Sequence, residues 1–372
     1  MRLETALVLF CLAAAAVHLA SVLLAWGRLR RTGRALPPGD RPGVTILRPV
    51  CGLENHLEQT LAATFGLTWP TAATEILFCV ASPEDPVVPL VERLIAAHPG
   101  HRARLLVGDD PISGNPKLNN LVKGWQAATH RWIVMTDSNV LLPPDYLERL
   151  LGEWRADTGL VSSPAVGIAP EGFAAELECA FLNSYQARWQ LAADAVGLGF
   201  AQGKNLFWRR DVLEDGGGLA NLGTEMAEDV AATKLVRRAG LKVRLVGAPF
   251  PQPIGRRNLG EVWRRQVRWA RVRRMGFRAL YGPELLTGGL FPLLACALAA
   301  PVWLPAYALV WYGAGYALAR TAGWPASPRA VASWPARDAT LPVLWALGWA
   351  GKGFVWRGTA MAHASTPPAA MR

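Results

Sequence analysis

Apolar residues run almost unbroken from position 7 to 26, with only His18 and Ser21 as polar interruptions. About 20 such residues cross a bilayer as a helix, so the run predicts a transmembrane anchor. It continues well past the alanines at 13–16, unlike a cleaved leader. A linker rich in proline and glycine follows (Pro37, Pro38, Gly39, Pro42, Gly43), and the pattern then changes. Short apolar runs at 44–47, 75–80, 104–107, 131–136 and 160–162 read as strands. They alternate with helical segments at 57–65, 87–97, 117–128 and 145–154, which is the α/β pattern of a sheet wound with helices. Further elements at 173–195, 206–208, 227–239 and 243–246 are more weakly patterned. From 285 to 319 the chain is again nearly all apolar, interrupted by Pro292, Pro301, Pro305 and glycines rather than charges. Two short or broken membrane helices fit this stretch. The run at 341–355 contains Lys352 and has the length of a marginal, re-entrant or interfacial segment.

Charge sharpens this picture. The 372-residue chain carries a formal net charge of +11, which attracts nucleic acid, anionic lipid or an anionic small molecule alike. Nine arginines fall between Arg256 and Arg278 and four between Arg28 and Arg34, both groups beside apolar stretches. That location favours an anionic lipid surface and no nucleic-acid partner. Arg28, Arg30, Arg31 and Arg34 come after the anchor while only Arg2 precedes it, so the positive-inside bias puts the segment beyond the anchor in the cytoplasm. The five cysteines form no CxxC pair and are widely scattered, which fits a reducing compartment and neither a disulfide framework nor a zinc site. His18 reads as a tolerated helix residue rather than a ligand.

Four elements carry candidate chemistry. The strand at 132–136 ends in Asp137, and open α/β sheets bind ligands outside the carboxyl ends of their strands. An aspartate there also serves as a turn residue or helix cap. The stretch Ser113-Gly114-Asn115-Pro116-Lys117-Leu118-Asn119-Asn120 is a loop turning into a helix, and a helix amino terminus with a lysine suits a phosphate or diphosphate. Glu225, Glu228 and Asp229 precede an amphipathic helix, where negative charge is also favourable against the helix dipole. Arg265 and Arg268 lie three apart with Trp269 beside them. Arginines at that spacing pair with a diphosphate while the tryptophan stacks on a sugar, or the helix lies on anionic lipid.

Taken in order, these elements resemble the ceramide glucosyltransferases and their bacterial relatives, inverting GT-A glycosyltransferases of families 2 and 21. The resemblance spans residues 42–278 and rests on Asn-Pro-Lys-Leu-Asn-Asn-Leu at 115–121, Asp-Ser-Asn at 137–139 and Gly-Phe-Ala-Ala at 172–175. Arg-Arg-Asp-Val-Leu at 209–213, Glu-Asp at 228–229 and Arg-x-x-Arg-Trp at 265–269 complete it. It implies a GT-A, Rossmann-like domain at 42–255, after an anchor at 1–27 and a basic linker at 28–41. Beyond the domain it implies a basic interfacial helix at 256–282, membrane helices at 283–356 and a tail at 357–372. By the same resemblance Asp137 holds the nucleotide diphosphate through a divalent metal, and Asp229, with Glu228 beside it, is the general base. Lys117 and Asn119 match the loop near the nucleotide, and Arg265, Arg268 and Trp269 match the motif that closes over donor and acceptor.

One position departs from the family pattern: Ser82 stands where an aspartate comes after the second strand. A hydroxyl lacks the carboxylate's charge, so either Glu84 or Asp85 supplies it in donor binding or the donor is bound differently from the family pattern. Magnesium or manganese is expected as cofactor from oxygen-only ligands. The expected reaction is hexose transfer from a nucleotide sugar, UDP-glucose, to a lipid hydroxyl, ceramide, by a multi-pass protein of a bacterial inner membrane or equivalent with a cytoplasmic catalytic domain. The alternatives are N-acetylglucosaminyl transfer to a hopanoid or other lipid, a processive polysaccharide synthase, and a non-catalytic homologue.

Overall fold

The computed structural model describes residues 3–31, 33–36, 41–351, 353–356 and 359–362. Pro37, Pro38 and Gly39 of the expected linker, Lys352, and most of the tail at 357–372 lie outside them. The chain divides into two compact units. One comprises residues 31–165, 197–253 and 353–372, the other residues 1–30, 166–196 and 254–352.

The strands in chain order are β1 (Val44–Pro49), β2 (Thr74–Val80), β3 (Arg102–Val107), β4 (Trp132–Thr136), β5 (Thr158–Ser162) and β6 (Val166–Glu171). They continue with β7 (Asn205–Arg209), β8 (Lys242–Leu245), β9 (Pro251–Arg256), β10 (Gly353–Trp356) and β11 (Thr359–Ala362). The first unit is built on a seven-stranded sheet of order β3-β2-β1-β4-β7-β5-β8. β2, β1 and β4 are rich in apolar and β-branched residues and almost wholly buried, as strands covered on both faces must be. The edge strand β3 alternates, with Arg102 and Arg104 turned toward water, a common protection of an open edge. Pairing is parallel through β3, β2, β1 and β4, and β7 runs antiparallel to both β4 and β5. The strand order reverses between β1 and β4, so the crevice at their carboxyl ends is the topological switch point.

The strands expected from sequence form with boundaries moved by at most two residues. β6 and β9 were not anticipated. Pro170 in one and Pro251 and Pro253 in the other are residues that argue against a central strand.

The second unit is helical. Leu3–Leu29 extends the expected anchor at both ends, and its 27 residues make a helix about 40 Å long. It is the one helix among the described residues long and apolar enough to cross a membrane. His18 and Arg28 are not idle on it: His18 is hydrogen-bonded to Arg188 at 2.9 Å and to the Trp311 carbonyl at 2.9 Å, and Arg28 pairs with Asp194 at 2.5 Å.

The expected membrane helices at 283–356 are not matched by comparable spans. Leu290–Ala299 has ten residues, and Leu304–Thr321 comes after a 3₁₀ turn at Pro301–Trp303. The run expected at 341–355 is not one element. Its first part belongs to the helix Pro328–Ala350, which carries Arg329, Arg337 and Asp338, and β10 then pairs antiparallel with β11. Phe173–Ala195 is continuously helical, widened to a π-helix over Ala180–Ala187.

Candidate active site

The site grows from the end of β4. Asp137 is the first residue past that strand, and its backbone amide donates to the Lys204 carbonyl at 3.0 Å, continuing the antiparallel β4–β7 register. The buried guanidinium of Arg48, on β1, donates to the carbonyls of Asp137, Ser138 and Val140, at 3.2, 3.0 and 3.1 Å. One side chain from the neighbouring strand thus fixes the loop that carries Asp137.

Lys117 arrives from the helix Pro116–Ala127. Asn115 caps that helix, its side chain accepting from the amides of Lys117 and Leu118, and Pro116 stands at the first helical position, where its missing N–H is not needed. The Lys117 ammonium donates to Asp137 Oδ1 at 2.7 Å, Glu228 Oε1 at 2.7 Å and the Gly203 carbonyl at 2.5 Å, which uses all three of its protons. Lys204 adds a second ammonium, 3.1 Å from Asp137 Oδ2 and 2.8 Å from Asn139 Oδ1. Glu228 also accepts from Asn115 Nδ2 at 3.1 Å. Asp229, the next residue, accepts from the amides of Gly203 at 3.0 Å and Val230 at 2.8 Å.

Lys117, Asp137 and Asp229 do not titrate alike in this crevice. Burial opposes charge on Lys117, but Asp137 and Glu228 outweigh it and raise the ammonium's pKa above its ordinary value. Burial would lift the Asp137 carboxyl, yet Lys117 and then Lys204 hold it well below the usual range. For Asp229 the balance reverses: burial and then the charge of Glu228 push it up to about 6, against the pull of the Gly203 amide and Lys117. The crevice thus holds one carboxyl kept ionised and one raised toward neutral pH.

Gly203 is required by close approach. A Cβ there would stand 2.6 Å from Glu228 Oε1, so Gly203→Ala should push the Glu228 carboxylate off Lys117 while leaving the fold intact. Turnover reduced about tenfold or more with a melting temperature within a few degrees of the parent is the expected result, the side-chain end being free to move.

The remaining candidates divide. Asn119 is committed to its own loop: its amide accepts from the Ser113 amide at 3.0 Å and donates to the Ser113 carbonyl at 3.1 Å. Asp85 likewise accepts from the amides of Gly52 at 2.9 Å and Val87 at 2.9 Å, bridging the turns after β1 and β2. Glu84 is exposed and accepts a hydrogen bond from the Ser82 hydroxyl. Arg265, Arg268 and Trp269 lie on the helix Leu259–Gly276 of the other unit, where Arg265 pairs with Glu178. Several arginines expected to face lipid are bound within the protein. Arg257 also pairs with Glu178, Arg273 with Glu284, and Arg274 donates to the Gly351 carbonyl. Lys204, Gly203 and Arg48 went unrecognised in the sequence, because only the β4–β7 and β1–β4 pairings bring them to Asp137.

No group of three His, Cys, Asp or Glu that could cage a metal occurs among the described residues. Magnesium and manganese nevertheless bind through one or two carboxylates plus substrate phosphates. Asp137 keeps a quarter of its side chain exposed, and each carboxylate oxygen retains acceptor capacity beyond its lysine. The donor set therefore fits a cation that arrives with a diphosphate, with Asp137 as its protein ligand.

A mixed, mostly parallel sheet with its acidic site at the switch point, accompanied by an apolar amino-terminal helix, is the architecture of a GT-A glycosyltransferase. Residues 6–367 match Glycosyl transferase family 21, and the chain belongs to that family. Ceramide glucosyltransferase 1 of Caenorhabditis elegans is 25% identical over 266 residues, covering 71% of this chain and 57% of the relative. Ceramide glucosyltransferase of Candida albicans is 38% identical over 108 residues, or 26% of this chain and 20% of the relative. The chain thus spans little more than half the length of curated relatives such as the first of these. Among solved structures, the mannosyltransferase PcManGT from Pyrobaculum calidifontis, in complex with GDP-Man and Mn2+, superimposes with a TM-score of 0.55 at 20% identity. That likeness covers 94% of this chain and 97% of the other.

Proposed function

We propose that this protein transfers a hexose from a nucleotide sugar, UDP-glucose, to a lipid hydroxyl, that of ceramide, with inversion at the anomeric carbon. The observation that carries the reading is the pair Asp137 and Asp229 around Lys117, one carboxyl held ionised and the other lifted toward neutral pH. Ceramide glucosyltransferases among the relatives support the choice of sugar and acceptor.

In this reading Asp229 takes the proton of the acceptor hydroxyl as that oxygen attacks the anomeric carbon. The carbon's bond to the diphosphate breaks in the same displacement, and its electron pair leaves with the nucleoside diphosphate. Lys117 and Lys204 supply fixed positive charge where the leaving group gains negative charge, and their carboxylate partners hold them in place beforehand. Glu228 fixes Lys117, and its charge raises the basicity of Asp229. Magnesium or manganese held by Asp137 would neutralise the diphosphate further. Arg265, Arg268 and Trp269 contribute to binding donor and acceptor, as the family pattern implies.

The protein works at a membrane. Leu3–Leu29 supplies one candidate span. Exposed Leu294, Leu298, Val302, Trp303 and Leu309 support further contact of residues 290–310 with lipid in a multi-pass arrangement. The arginines after the first helix support a cytoplasmic catalytic domain, and the exposed Arg256, Arg264 and Arg278 support an anionic lipid surface.

The elevated Asp229 carboxyl sets the pH dependence. Transfer needs it ionised, so kcat/KM should rise with pH through a midpoint near 6 and level off above. Folding responds oppositely. A carboxyl raised above its ordinary 3.8 contributes stability that is complete below that value and lost as pH rises through about 6. A pH–rate profile with no step between 5 and 7 would remove Asp229 from the base role. The reading as a whole is tested by release of nucleoside diphosphate from UDP-glucose. Release that depends on added ceramide supports it, and a full panel of nucleotide sugars and lipids without release overturns it.

A further inference from the structure

Glu178 is fully buried in the helix Phe173–Cys179 and belongs to none of the motifs that mark the site. Its two oxygens are divided between two arginines. Oε2 accepts from Arg257 Nε at 3.2 Å, just past the end of β9, and Oε1 accepts from Arg265 Nη1 on the helix Leu259–Gly276. Arg257 and Arg265 keep 13% and 26% of their side chains exposed, while Glu178 keeps none.

A buried carboxylate is a poor device for stability, because losing water costs each ion several kcal/mol and well-packed apolar residues often serve as well. What it does supply is geometry. A guanidinium carries five N–H donors in a rigid plane, so fixing one edge fixes the direction of the rest. One carboxylate against two guanidinium groups also leaves one positive charge uncompensated at a partly exposed surface. Glu178 thereby holds two forks in a set orientation with donors remaining, an arrangement that suits the paired oxygens of an anion.

We propose that Glu178 is a positioning residue that sets Arg257 and Arg265 as a two-arginine clamp for a diphosphate group. This rests on the reading of Arg265 as a diphosphate partner, and it adds Glu178 and Arg257 to that role.

The full-length protein in detergent or nanodiscs tests this with inorganic pyrophosphate as probe, by calorimetric titration at fixed ionic strength. Charge alone makes the direction diagnostic. Removing a negative group near an anion site without disturbing orientation strengthens anion binding, whereas loss of positioning weakens it. Glu178→Gln should weaken pyrophosphate binding about tenfold, the scale of one misplaced charge-assisted pair. Glu178→Asp, which keeps the charge, should recover at least half of that loss. Arg257→Ala should weaken binding similarly, and combining it with Glu178→Gln should add little further, since both act through one pair. Unchanged or tighter pyrophosphate binding by folded Glu178→Gln overturns the proposal. If that variant does not fold, unaltered binding by Arg257→Ala overturns it instead. Sugar transfer by the parent protein is measured separately. Pyrophosphate binding that depends on Glu178 in a protein that transfers no sugar leaves the clamp standing and removes the transferase reading.

Discussion

Asp229→Asn should reduce sugar transfer by about 10²- to 10⁴-fold, the usual cost of removing a general base. The amide keeps the size of the side chain and its one carbonyl oxygen still accepts from one of the two backbone amides, of Gly203 and Val230, that the carboxylate bridges, but it takes no proton from the acceptor hydroxyl. The loss should appear in kcat, with the KM for the nucleotide sugar nearly unchanged, because Lys117, Lys204 and Asp137 stay where they are. Folding should change little. Neutralising a carboxyl whose pKa lies near 6 removes an unfavourable charge and offsets the one backbone hydrogen bond lost, so the variant should melt within a few degrees of the parent at pH 7.5. Steady-state rates and a melting curve on the same preparation check both halves. More than half the parental turnover would end the assignment.

Lys117→Met should be the most damaging change in fold and function together. Methionine matches the length of lysine, yet Asp137 and Glu228 lose the ammonium that both contact at 2.7 Å. Breaking a buried pair by removing one partner typically costs about 3–5 kcal/mol. Lys117 lowers the folded pKa of both Asp137 and Asp229, so its removal raises both, and a carboxyl raised above its ordinary value stabilises the fold at lower pH. The variant should therefore recover more melting temperature than the parent does as pH falls from 7 to 5, because Asp229 has also lost the pull of Lys117. Nucleotide binding should be lost even where the fold is regained, because the fixed cation for the diphosphate is gone. Lys117→Arg should not rescue it: a planar fork does not replace a point charge that donates in three directions.

The alternation of short apolar runs with helical segments made the sheet legible, and the motif around 115–121 marked both Lys117 and its capped helix. Asp137 and Glu228 were recognisable singly, as an acidic strand end and an acidic helix start. Their meeting at Lys117 was not, since it depends on strand order. Lys204 illustrates the limit. It stands before an unremarkable strand, and only the antiparallel insertion of β7 between β4 and β5 turns it toward Asp137. Glu178 sits in an apolar helix where nothing local distinguishes it from a solvated glutamate, and its arginine partners are 79 and 87 residues away. Asn119 and Asp85 were singled out by residue type alone. Their side chains bond backbone groups, of Ser113 and of Gly52 and Val87, which no local pattern shows.

The most direct test of the central claim is the mass of the product. Membranes containing the protein, incubated with UDP-glucose and ceramide, should yield a lipid heavier by one hexose residue, with the β linkage that inversion of an α-linked donor requires. The product should be absent from membranes carrying Asp229→Asn. A polymer of hexose units, an α-linked product, or no lipid product from any nucleotide sugar and lipid offered would contradict the account.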